Sequence, residues 1–497
     1  MEGQRVRVED QFCTVRYCGP VQGQEGVWIG LEWDDSARGR HSGTVEGVTY
    51  FRTETEGAGS MMRAEVFAEK RARERTLREA LLWKYTEHLE VDQAELYANT
   101  VRNNKKQIEL LGTAQVLSFQ QQLHNTCEVA LQSLDISGID DFGHLLPLCN
   151  SMLLDKNLLR EWGQMWRVLR EMPQLETLSL SYNQLVGPIQ PADLTHSLKT
   201  LVLIGMQLQW HHILPLVPVF PQLKELLVCK NLCKDLQPVQ LPQLALLNLE
   251  SNGIESWSLV DTCFRHLPNL EKLILNDNLI SEIEYSEGFP RLSALSLNGN
   301  RLQSWNSMHE IAKFPGGVAE LRISHNSALQ GSLSITLFRS QAVARIPSLI
   351  HLNGAAVRPQ ERLDSERYYL RQFAEDPIER EFPIFDHLAQ KHGDLTHLGK
   401  LDSPGQVTIE STAINLRLVS VAKASAGREM TKKLPLSISI LALKSLCSKL
   451  FAVPVARLKL TYRESKEQVM AETLDDNSKE LSYYVMKEGG ELWVDDL

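Results

Sequence analysis

The amino-acid sequence predicts a multidomain protein with a small β-rich domain, a long α/β solenoid and a C-terminal α+β domain. Its 497 residues are enough for about three domains of roughly 150 residues each. A leucine-rich motif recurs through the central part of the chain, and the stretches on either side of it differ in composition. With 43% hydrophobic and 23% charged residues, the chain has the composition of a globular protein rather than a disordered one.

The N-terminal part divides into two predicted segments. Residues 1–66 are dense in glycine and aromatic residues and contain short strand-like stretches, which indicates a small β-rich domain. Residues 67–130 are predicted to be a helical and connecting segment, helical between Phe67 and Leu111. A basic run, Lys70–Arg75, lies in this helix; it is consistent with a solvated helix face or with contact to an acidic partner. The helical spacing is carried by Leu77, Leu81, Leu82, Tyr85 and Leu89.

Residues 131–375 are predicted to be leucine-rich repeats with a C-terminal cap. The template Leu-x-x-Leu-x-Leu-x-x-Asn-x-Leu begins at Leu175, Leu198, Leu223, Leu244, Leu270 and Leu292. Degenerate copies begin at Cys149 and Val318, with a weaker start at Leu131, and starts from Cys149 onward lie 21 to 26 residues apart. This spacing is inside the range of about 20–29 residues for leucine-rich repeats. In each copy a short strand is expected to turn two leucines inward and the alternate residues toward the concave face.

Two further residue types recur with the repeat. An asparagine column is expected to be buried, where its amide can satisfy backbone groups as each coil leaves its strand. Its members are Asn157, Asn183, Asn231, Asn252, Asn278, Asn300 and Asn326. A tryptophan also recurs five residues after the asparagine position, at Trp162, Trp257 and Trp305. Trp210 lies one residue closer to that position in its own repeat. Such a column is consistent with a stacking platform for bases, but its regularity favours packing inside the solenoid.

The C-terminal part is predicted to contain a cap, a linker and a folded domain. The polar segment Arg358–Phe373 is predicted to cap the solenoid, and residues 376–405, with their prolines, are predicted to be a linker. Residues 406–497 are predicted to form a domain with a helix laid on a mixed sheet. Its predicted elements are strands Val407–Asn415 and Asn415–Val421, helix Ser437–Phe451, and strands Leu458–Tyr462 and Glu491–Val494. This order resembles a ubiquitin-like (β-grasp) domain, and the ending Val494–Leu497 lacks the Gly-Gly of a conjugated modifier, so we expect a binding module.

Four stretches of the first 66 residues resemble a CAP-Gly domain. They are Trp28–Asp35, Gly39–Gly43, Gly47–Phe51 and Gly59–Arg63, in the order found in that family. The resemblance implies a groove for the acidic, aromatic-ended C-terminal tails of α-tubulin and of some microtubule end-binding proteins. The family's Gly-Lys-Asn-Asp-Gly loop is Gly-Arg-His-Ser-Gly here, which keeps a cation that can pair with a carboxylate. The implied tail-binding residues are Trp28, Trp33, Gly39, Arg40, His41, Ser42, Gly43, Phe51 and Arg63.

The charge of this segment limits how such a groove can work. Residues 1–66 contain 7 Arg and no Lys against 11 acidic residues, a net charge of 7 − 11 = −4. Long-range attraction of an acidic tail is therefore absent, and recognition has to rest on local groups. The alternative is a CAP-Gly fold whose groove is weak or altered.

The order of CAP-Gly, leucine-rich repeats and ubiquitin-like domain resembles the tubulin folding cofactor E family. The resemblance implies capture of α-tubulin after the chaperonin, and assembly or dissociation of the αβ-tubulin heterodimer together with cofactors B, C and D. The ubiquitin-like domain is then expected to bind another cofactor, the proteasome or a ubiquitin receptor. A CAP-Gly microtubule-binding adaptor, whose repeats recruit a non-tubulin partner, is the alternative.

The concave face of the repeats is expected to bind the body of α-tubulin. Its exposed central column is predicted to read Ser179, Val202, Leu227, Asn248, Ile274, Ser296 and Arg322, of which Val202, Leu227, Asn248, Ile274 and Arg322 are the candidate contacts. Three aliphatic residues in this column indicate a protein-binding surface. Concave faces also carry scattered aliphatic residues without binding anything.

Charge and apolar runs exclude several classes of protein. The net charge of −10 disfavours nucleic acid as a partner. The longest apolar runs, such as Ile213–Phe220 and Ser437–Leu443, are shorter than the roughly 20 residues that span a bilayer, so no membrane is expected. No secretory signal opens the sequence, and its eight cysteines form no paired framework. We therefore expect a cytoplasmic, cytoskeleton-associated protein.

No catalytic motif stands out, and a non-enzyme without cofactor or metal is predicted. The sequence has no Gly-x-x-x-x-Gly-Lys-Ser/Thr loop and no His-Glu-x-x-His. Cys229 and Cys233 fit regular repeat positions, so zinc binding is disfavoured. His211 and His212 are adjacent and are expected on a solvated loop rather than at a metal.

Overall fold

The computed structural model describes residues 2–87, 97–99, 105–107, 123–187, 189, 194–393, 413–422, 425, 427–463, 472–481, 484, 486 and 488–496. The chain forms two compact units, Met1–Gln207 with Pro218–Leu223, and Leu208–Val217 with Lys224–Leu497. In the described part of the chain, no helix combines the length and the apolar character needed to cross a bilayer.

The N-terminal domain is β-rich, as predicted. Strands β1, β2, β3 and β6 form an antiparallel sheet in that order, and β4 and β5 form a separate hairpin. Helix α1 packs on the sheet through Phe67, next to Val6 and Leu31. The elements are β1 (Arg5–Val8), β2 (Gln11–Pro20), β3 (Val27–Trp33), β4 (Thr44–Val45), β5 (Val48–Thr49), β6 (Gly59–Arg63) and α1 (Ala64–Lys70).

The predicted helix between Phe67 and Leu111 is only partly correct. The elements are the end of α1, then β7 (Arg75–Thr76), α2 (Leu77–Leu82), a π-helical turn that continues α2 (Trp83–Glu87), β8 (Tyr97–Asn99) and β9 (Lys105–Gln107). Only Lys70 of the basic run is helical, as the last residue of α1; Arg71 then bridges to Val8, and β7 pairs with the strand Ile136–Gly138. Thr76 then starts α2, since its hydroxyl accepts from the N–H of Glu79. Residues 88–96, 100–104 and 108–111 of the prediction lie outside the described residues.

The first unit contains the start of the repeats. Strands β10, β12, β13 and β14 pair in parallel, and the register places Leu178 beside Leu201. Both leucines are buried, as the repeat template predicts. The elements are β10 (Glu128–Ala130), β11 (Ile136–Gly138), β12 (Ser151–Leu153), α3 (Trp162–Glu171), β13 (Thr177–Ser179) and β14 (Thr200–Val202).

The second unit continues with the same architecture. Strands β15 to β20 pair in parallel, and β21 folds back antiparallel on β20. The strands are β15 (Glu225–Leu227), β16 (Leu246–Asn248), β17 (Lys272–Ile274), β18 (Ala294–Ser296), β19 (Glu320–Arg322), β20 (His351–Leu352) and β21 (Ala355–Ala356). The helices are α4 (Trp210–Ile213), α5 (Trp257–Phe264), α6 (Asn306–Ala312), α7 (Ser327–Gln330) and α8 (Ile335–Arg345).

The asparagine column forms a buried hydrogen-bond ladder. All seven predicted members are at most 6% exposed. Asn183 is typical: its Nδ2 donates to the carbonyls of Leu154 at 2.9 Å and Leu180 at 2.8 Å, and its Oδ1 accepts from the N–H of Asn157 at 3.1 Å. The amides therefore satisfy backbone groups where each coil leaves its strand, which confirms the predicted role.

The third residue after each repeat strand has a left-handed backbone. These residues are Ser133, Lys156, Tyr182, Gly205, Lys230, Ser251, Asp277, Gly299 and His325, with φ between 51° and 65°. The conformation turns the N–H of Asp277, for example, toward the carbonyl of Asn298 in the next coil at 2.8 Å. We call these nine residues the turn column.

The tryptophan column packs inside the solenoid, as predicted. Trp162, Trp210 and Trp257 are at most 3% exposed, and Trp305 is half-buried. Trp210 packs edge-on against Phe264 with ring centroids 5.5 Å apart. The indole N–H groups of Trp210 and Trp257 donate to the carbonyls of Gln237 and Glu284.

Three helices follow the last repeat strand: α9 (Pro359–Gln372), α10 (Pro377–Arg380) and α11 (Pro383–His392). Helix α9 spans the segment that was predicted to be the cap. Helices α10 and α11 occupy the first half of the segment that was predicted to be a linker. Pro377 and Pro383 are each at a helix N-terminus, where a missing N–H costs nothing. Residues 394–405 of that segment lie outside the described residues.

The C-terminal domain has a helix on a mixed sheet, as predicted. Its elements are β22 (Ala413–Ser420), β23 (Glu429–Pro435), α12 (Ile440–Phe451), β24 (Leu458–Arg463), β25 (Glu472–Thr473) and β26 (Glu491–Asp496). The strand order is β23-β22-β26-β24-β25, with β22 and β26 parallel. The predicted break at Asn415 is wrong, because burial alternates without interruption along β22. Residues 407–412 of the first predicted strand lie outside the described residues, and β23 and β25 were not predicted.

Candidate functional site

Two glycines fix the loop Gly39–Gly43 against strand β6. A Cβ on Gly39 would lie 1.9 Å from the carbonyl oxygen of Gly57, and a Cβ on Gly43 would lie 2.0 Å from that of Phe51. Gly43 also has φ +98°, which glycine adopts without strain. The loop is tied to Gly59, whose N–H donates to the carbonyl of His41 at 2.7 Å. The backbone between the two glycines is therefore held in one place.

His41 presents a single hydrogen-bond donor at this loop. Its Nδ1 accepts from the N–H of Gly43 at 3.0 Å, so in the neutral ring the proton sits on Nε2. Burial lowers the pKa of His41, which keeps the ring neutral near pH 7. The ring meets Phe51 edge-on, with centroids 5.9 Å apart. Phe51 is 7% exposed and forms the floor beside the loop.

Ser42 and Arg40 differ in how the protein uses them. The Ser42 hydroxyl accepts from the N–H of Gly57 at 2.9 Å, so it holds the loop. Arg40 is exposed, and among the described residues its guanidinium has no hydrogen bond or ion pair. Arg40 is therefore available to a carboxylate from outside the chain.

The arginines of this domain show which charges a ligand can use. Four of the seven are held by acidic groups, in the pairs Arg5–Asp34, Arg7–Asp135, Arg16–Glu32 and Arg38–Glu9. Arg40 and Arg52 are exposed and make no ion pair with described residues. The remaining arginine, Arg63, lies 5.3 Å from the ring of Trp28. Although the domain is acidic, its unpaired cations stand at the loop and next to Phe51.

The two predicted groove tryptophans have different roles. Trp33 is 3% exposed, belongs to the domain core, and donates its indole N–H to Ser60 Oγ at 2.7 Å. Its predicted direct contact with a tail does not fit this burial. Trp28 is half-buried, and its indole N–H has no hydrogen-bond partner among the described residues. Trp28 with Arg63 therefore remains a candidate contact.

Sequence reasoning missed two tyrosines beside Phe51. The rings of Tyr17 and Tyr50 are 5.3 Å apart, and both are half-buried. Tyr50 accepts from the N–H of Gln22 at 2.8 Å. A Cβ on Gly30 would meet Phe51 and Tyr17 at under 3 Å, so this glycine lets the aromatic cluster form. Of the two, only Tyr50 lies in a motif stretch, directly before Phe51.

The predicted concave column is present but is mostly covered. In the first unit Ser179 pairs with Val202, and both are buried. In the second unit one row of strand partners runs Leu227, Asn248, Ile274, Ser296 and Arg322. Leu227 and Asn248 are half-buried, and the other three are at most 6% exposed. The expectation of an exposed column is therefore wrong for five of its seven residues.

The histidine pair and the two cysteines occupy structural positions. His211 and His212 lie in α4 rather than on a loop, and His212 Nδ1 accepts from the N–H of Gln209 at 3.0 Å. Cys229 and Cys233 are buried in their repeat. Burial raises the pKa of Cys233 to about 12.

Sequence models of three domain families match the chain. The CAP-Gly domain matches residues 2–67, a leucine-rich repeat model matches residues 242–302, and the ubiquitin-like domain matches residues 414–497. These matches agree with the three folds described above.

Two relatives match along nearly the whole chain. Tubulin-folding cofactor E from Arabidopsis thaliana is 29% identical over 514 residues, covering 97% of this chain and 95% of that protein. Tubulin-specific chaperone E from Bos taurus is 29% identical over 529 residues, covering 99% and 98%. A solved structure, the C-terminal ubiquitin-like domain of mouse tubulin-specific chaperone E, is 27% identical, covers 17% of this chain and 88% of that one, and has a TM-score of 0.16. This chain, built from a CAP-Gly domain, leucine-rich repeats and a ubiquitin-like domain, is thus a homologue of the tubulin-specific chaperone E proteins along nearly its whole length.

Proposed function

We propose that this protein is a tubulin folding cofactor that binds α-tubulin and, with cofactors B, C and D, assembles or dissociates αβ-tubulin heterodimers. The observation that carries the proposal is the similarity, over 97–99% of the chain, to proteins named for tubulin folding. It acts by binding, without chemistry of its own.

The groove of the CAP-Gly domain receives the C-terminal tail of α-tubulin. Arg40 offers an unpaired cation for a tail carboxylate, and His41 offers an Nε2–H donor beside it. Tyr17 and Tyr50, which are half-buried and lie beside the buried Phe51, offer an apolar surface for a terminal aromatic ring. Because these groups are local, the acidic net charge of the domain does not prevent binding.

The repeats bind the globular body of the same tubulin molecule. Two modest contacts on one chain raise the effective concentration of the second site and so increase the overall affinity. Leu227 and Asn248 are the members of the predicted column that remain partly exposed. Removing either contact should therefore weaken the complex without abolishing it.

Binding is tested by mixing the full chain with αβ-tubulin, intact or with the α-tail removed. Size-exclusion chromatography with light scattering reports the mass of each complex. We expect a complex with intact tubulin that weakens when the tail is missing. A complex of equal affinity with and without the α-tail would contradict the assigned groove. The absence of any complex, even with cofactor B present, would contradict the proposed function and favour the adaptor alternative.

Arg40 provides the first residue-level prediction. Arg40→Ala should weaken binding of an α-tubulin tail peptide roughly tenfold, because one charge-assisted hydrogen bond is lost. Titration of the peptide, followed by fluorescence anisotropy, measures the change. Arg78→Ala is the matched control, since Arg78 is an exposed arginine outside the CAP-Gly domain. Equal affinities for the two variants would exclude Arg40 from the groove.

A further inference from the structure

The ubiquitin-like domain contacts the concave face of the second-unit repeats at Arg322. Arg322 is 5% exposed and is the last residue of the row that runs along the centre of that face. Its guanidinium donates to the carbonyl of Tyr484 and, at 3.0 Å, to that of Met486. Both carbonyls belong to the stretch before β26, so a repeat side chain holds the backbone of the C-terminal domain.

A second contact lies two strands away, at the turn column. Lys479 Nζ lies 3.1 Å from Asp277 Oδ1, and both side chains are about one quarter exposed, at 24% and 28%. Glu250, on the neighbouring coil, is close enough to Lys479 for the charge of the lysine to lower its pKa, although burial raises that pKa more strongly. A lysine of the repeats also acts on an acidic group of the ubiquitin-like domain. The pKa of Asp476 is lowered mainly by the Ser478 hydrogen bonds, and the positive charges of Lys479 and of Lys230, in the repeats, lower it further.

A third contact closes the end of the face. Ala355, the first residue of β21, packs in the same hydrophobic cluster as Leu436 and Leu458 of the ubiquitin-like domain. A Cβ on Gly354 would lie 3.6 Å from Leu436 Cδ2. The three contacts thus run from β17 to β21.

Ile274 and Ser296 lie between these contacts and are 6% and 4% exposed. They belong to the row that would face a bound protein. The part of the face beyond the contacts, at Leu227 and Asn248, remains half-buried. Within the second unit, the most covered residues of the row are therefore those on the side of the ubiquitin-like domain; Ser179 and Val202, in the first unit, are buried as well.

We propose that the ubiquitin-like domain is an autoinhibitory latch on the concave face, and that it competes with the body of tubulin for the surface around Ile274, Ser296 and Arg322. This inference rests on the proposed function. The contacts consist of one partly exposed ion pair, the hydrogen bonds of the buried Arg322 to two backbone carbonyls, and the apolar contact at Ala355. A partly exposed ion pair is worth little on its own, which suits a reversible latch. Release of the domain uncovers Arg322, Asp277 and an aliphatic surface together.

Charge reversal at the Lys479–Asp277 pair tests the latch in the full chain. Asp277→Lys and Lys479→Glu each place like charges opposite one another, and the double variant restores an ion pair in the opposite sense. Lysine fits the left-handed backbone at 277, because Lys156 and Lys230 occupy the equivalent turn-column positions with φ 53° and 54°. Lys432→Glu, on exposed β23, is the control for charge change alone.

Three readouts separate the latch from the proposed function. Hydrogen exchange of residues 272–298 and 472–481 in the free protein reports opening. Affinity for tubulin without its α-tail reports the concave face, and affinity for intact tubulin reports the proposed function. We expect each single variant to exchange faster and to bind tail-less tubulin about three- to tenfold more tightly, and the double variant to return toward the unmodified protein.

Three outcomes would overturn the latch. Unchanged exchange in both single variants would show that the ion pair does not hold the domain. Faster exchange without tighter binding of tail-less tubulin, while intact tubulin still binds, would show that tubulin does not use this face. If the unmodified protein fails to bind intact tubulin, the proposed function fails and the competition fails with it.

Discussion

At the residue scale, the cap of the repeats contains a buried cluster of ionisable side chains. Arg345 is fully buried and pairs with Glu379. Glu379 also accepts from the Tyr369 hydroxyl at 2.6 Å, and His309 Nε2 lies 3.2 Å from it. Phe382 stacks on His309 with ring centroids 3.6 Å apart. The cluster joins α6, α8, α9 and α10, so its charge state affects the whole cap.

We predict that this cluster makes the cap sensitive to acid. Burial raises the pKa of Glu379, but the His309 hydrogen bond, the charge of Arg345 and the Tyr369 hydrogen bond outweigh it and lower the pKa from 4.5 to about 2. The unfolded chain therefore takes up the proton first, and the stability from Glu379 is lost as the pH falls from 4.5 toward 2. Burial also lowers the pKa of His309 below 6.5, so protonation of this ring likewise favours unfolding.

Glu379→Gln should cost about 3 kcal/mol at pH 7 and progressively less toward pH 2. Urea unfolding of both proteins at several pH values measures this difference. Glu381→Gln is the matched control, because Glu381 is exposed in the same region. A penalty that does not change with pH would show that the carboxylate is not the stabilising species.

The groove residues show what could be predicted at this scale. Gly39 and Gly43 were predicted because a tight loop needs glycine, and both positions leave no room for a Cβ. The burial of Trp33 could also be predicted, because it lies two and four residues after Leu31 and Ile29 and so on the same buried face of β3. The approach of Tyr17 to Tyr50 could not be predicted, because it depends on how distant segments pack.

At the element scale, the asparagine ladder holds each coil to the next. Asn278 Nδ2 donates to the carbonyls of Leu249 and Leu275, both at 3.0 Å. Its Oδ1 accepts from the N–H groups of Asn252 at 3.1 Å and Ile254 at 2.9 Å. With a further hydrogen bond from Nδ2 to the carbonyl of Asn276 at 3.2 Å, one buried side chain thus satisfies five backbone groups.

We predict that Asn278→Ala destabilises the protein by about 2–4 kcal/mol, because it leaves these groups unsatisfied. Asn248→Ala, in an adjacent repeat, should cost under about 1 kcal/mol, since Asn248 is half-buried and accepts one hydrogen bond, from Glu250. Chemical unfolding of both variants gives the comparison. Similar penalties for the two would argue against the ladder as the source of stability.

Elements with a strong periodic pattern were predicted, and elements defined by their neighbours were not. The repeats follow from leucine spacing because each coil buries the same positions. Strand β23 is an exposed edge strand with Lys432 and Lys433, so no apolar alternation marks it. Pro377 and Pro383 contributed to the predicted linker, although proline is also favoured in a first helical turn.

At the scale of the whole molecule, one ion pair joins the N-terminal domain to the first repeats within the first unit. Arg7 Nε and Nη2 donate to the two carboxylate oxygens of Asp135 at 2.6 and 2.7 Å. Asp135 is 2% exposed, and its hydrogen bond to Arg7 raises the pKa of the guanidinium. The pair therefore holds a buried carboxylate between two parts of the unit.

Arg7→Ala should cost about 3 kcal/mol, because it leaves this carboxylate buried without its partner. We expect the N-terminal domain to unfold at a lower temperature than the repeats in this variant, measured by differential scanning calorimetry. Arg52→Ala is the control, since Arg52 is exposed. A single transition with an unchanged midpoint would contradict the coupling.

The turn column has a consequence for how such a solenoid can evolve. Only two of its nine members are glycine, and each of the others accepts a backbone cost of about 1 kcal/mol. Glycine at these seven positions would remove the backbone cost and make the solenoid more stable, but it would also remove the side chain at the rim of each coil. Selection can thus change the side chain at the rim of one coil at a time while the interior stays the same. Asp277, which pairs with Lys479, is an example of such a rim side chain that already makes a contact.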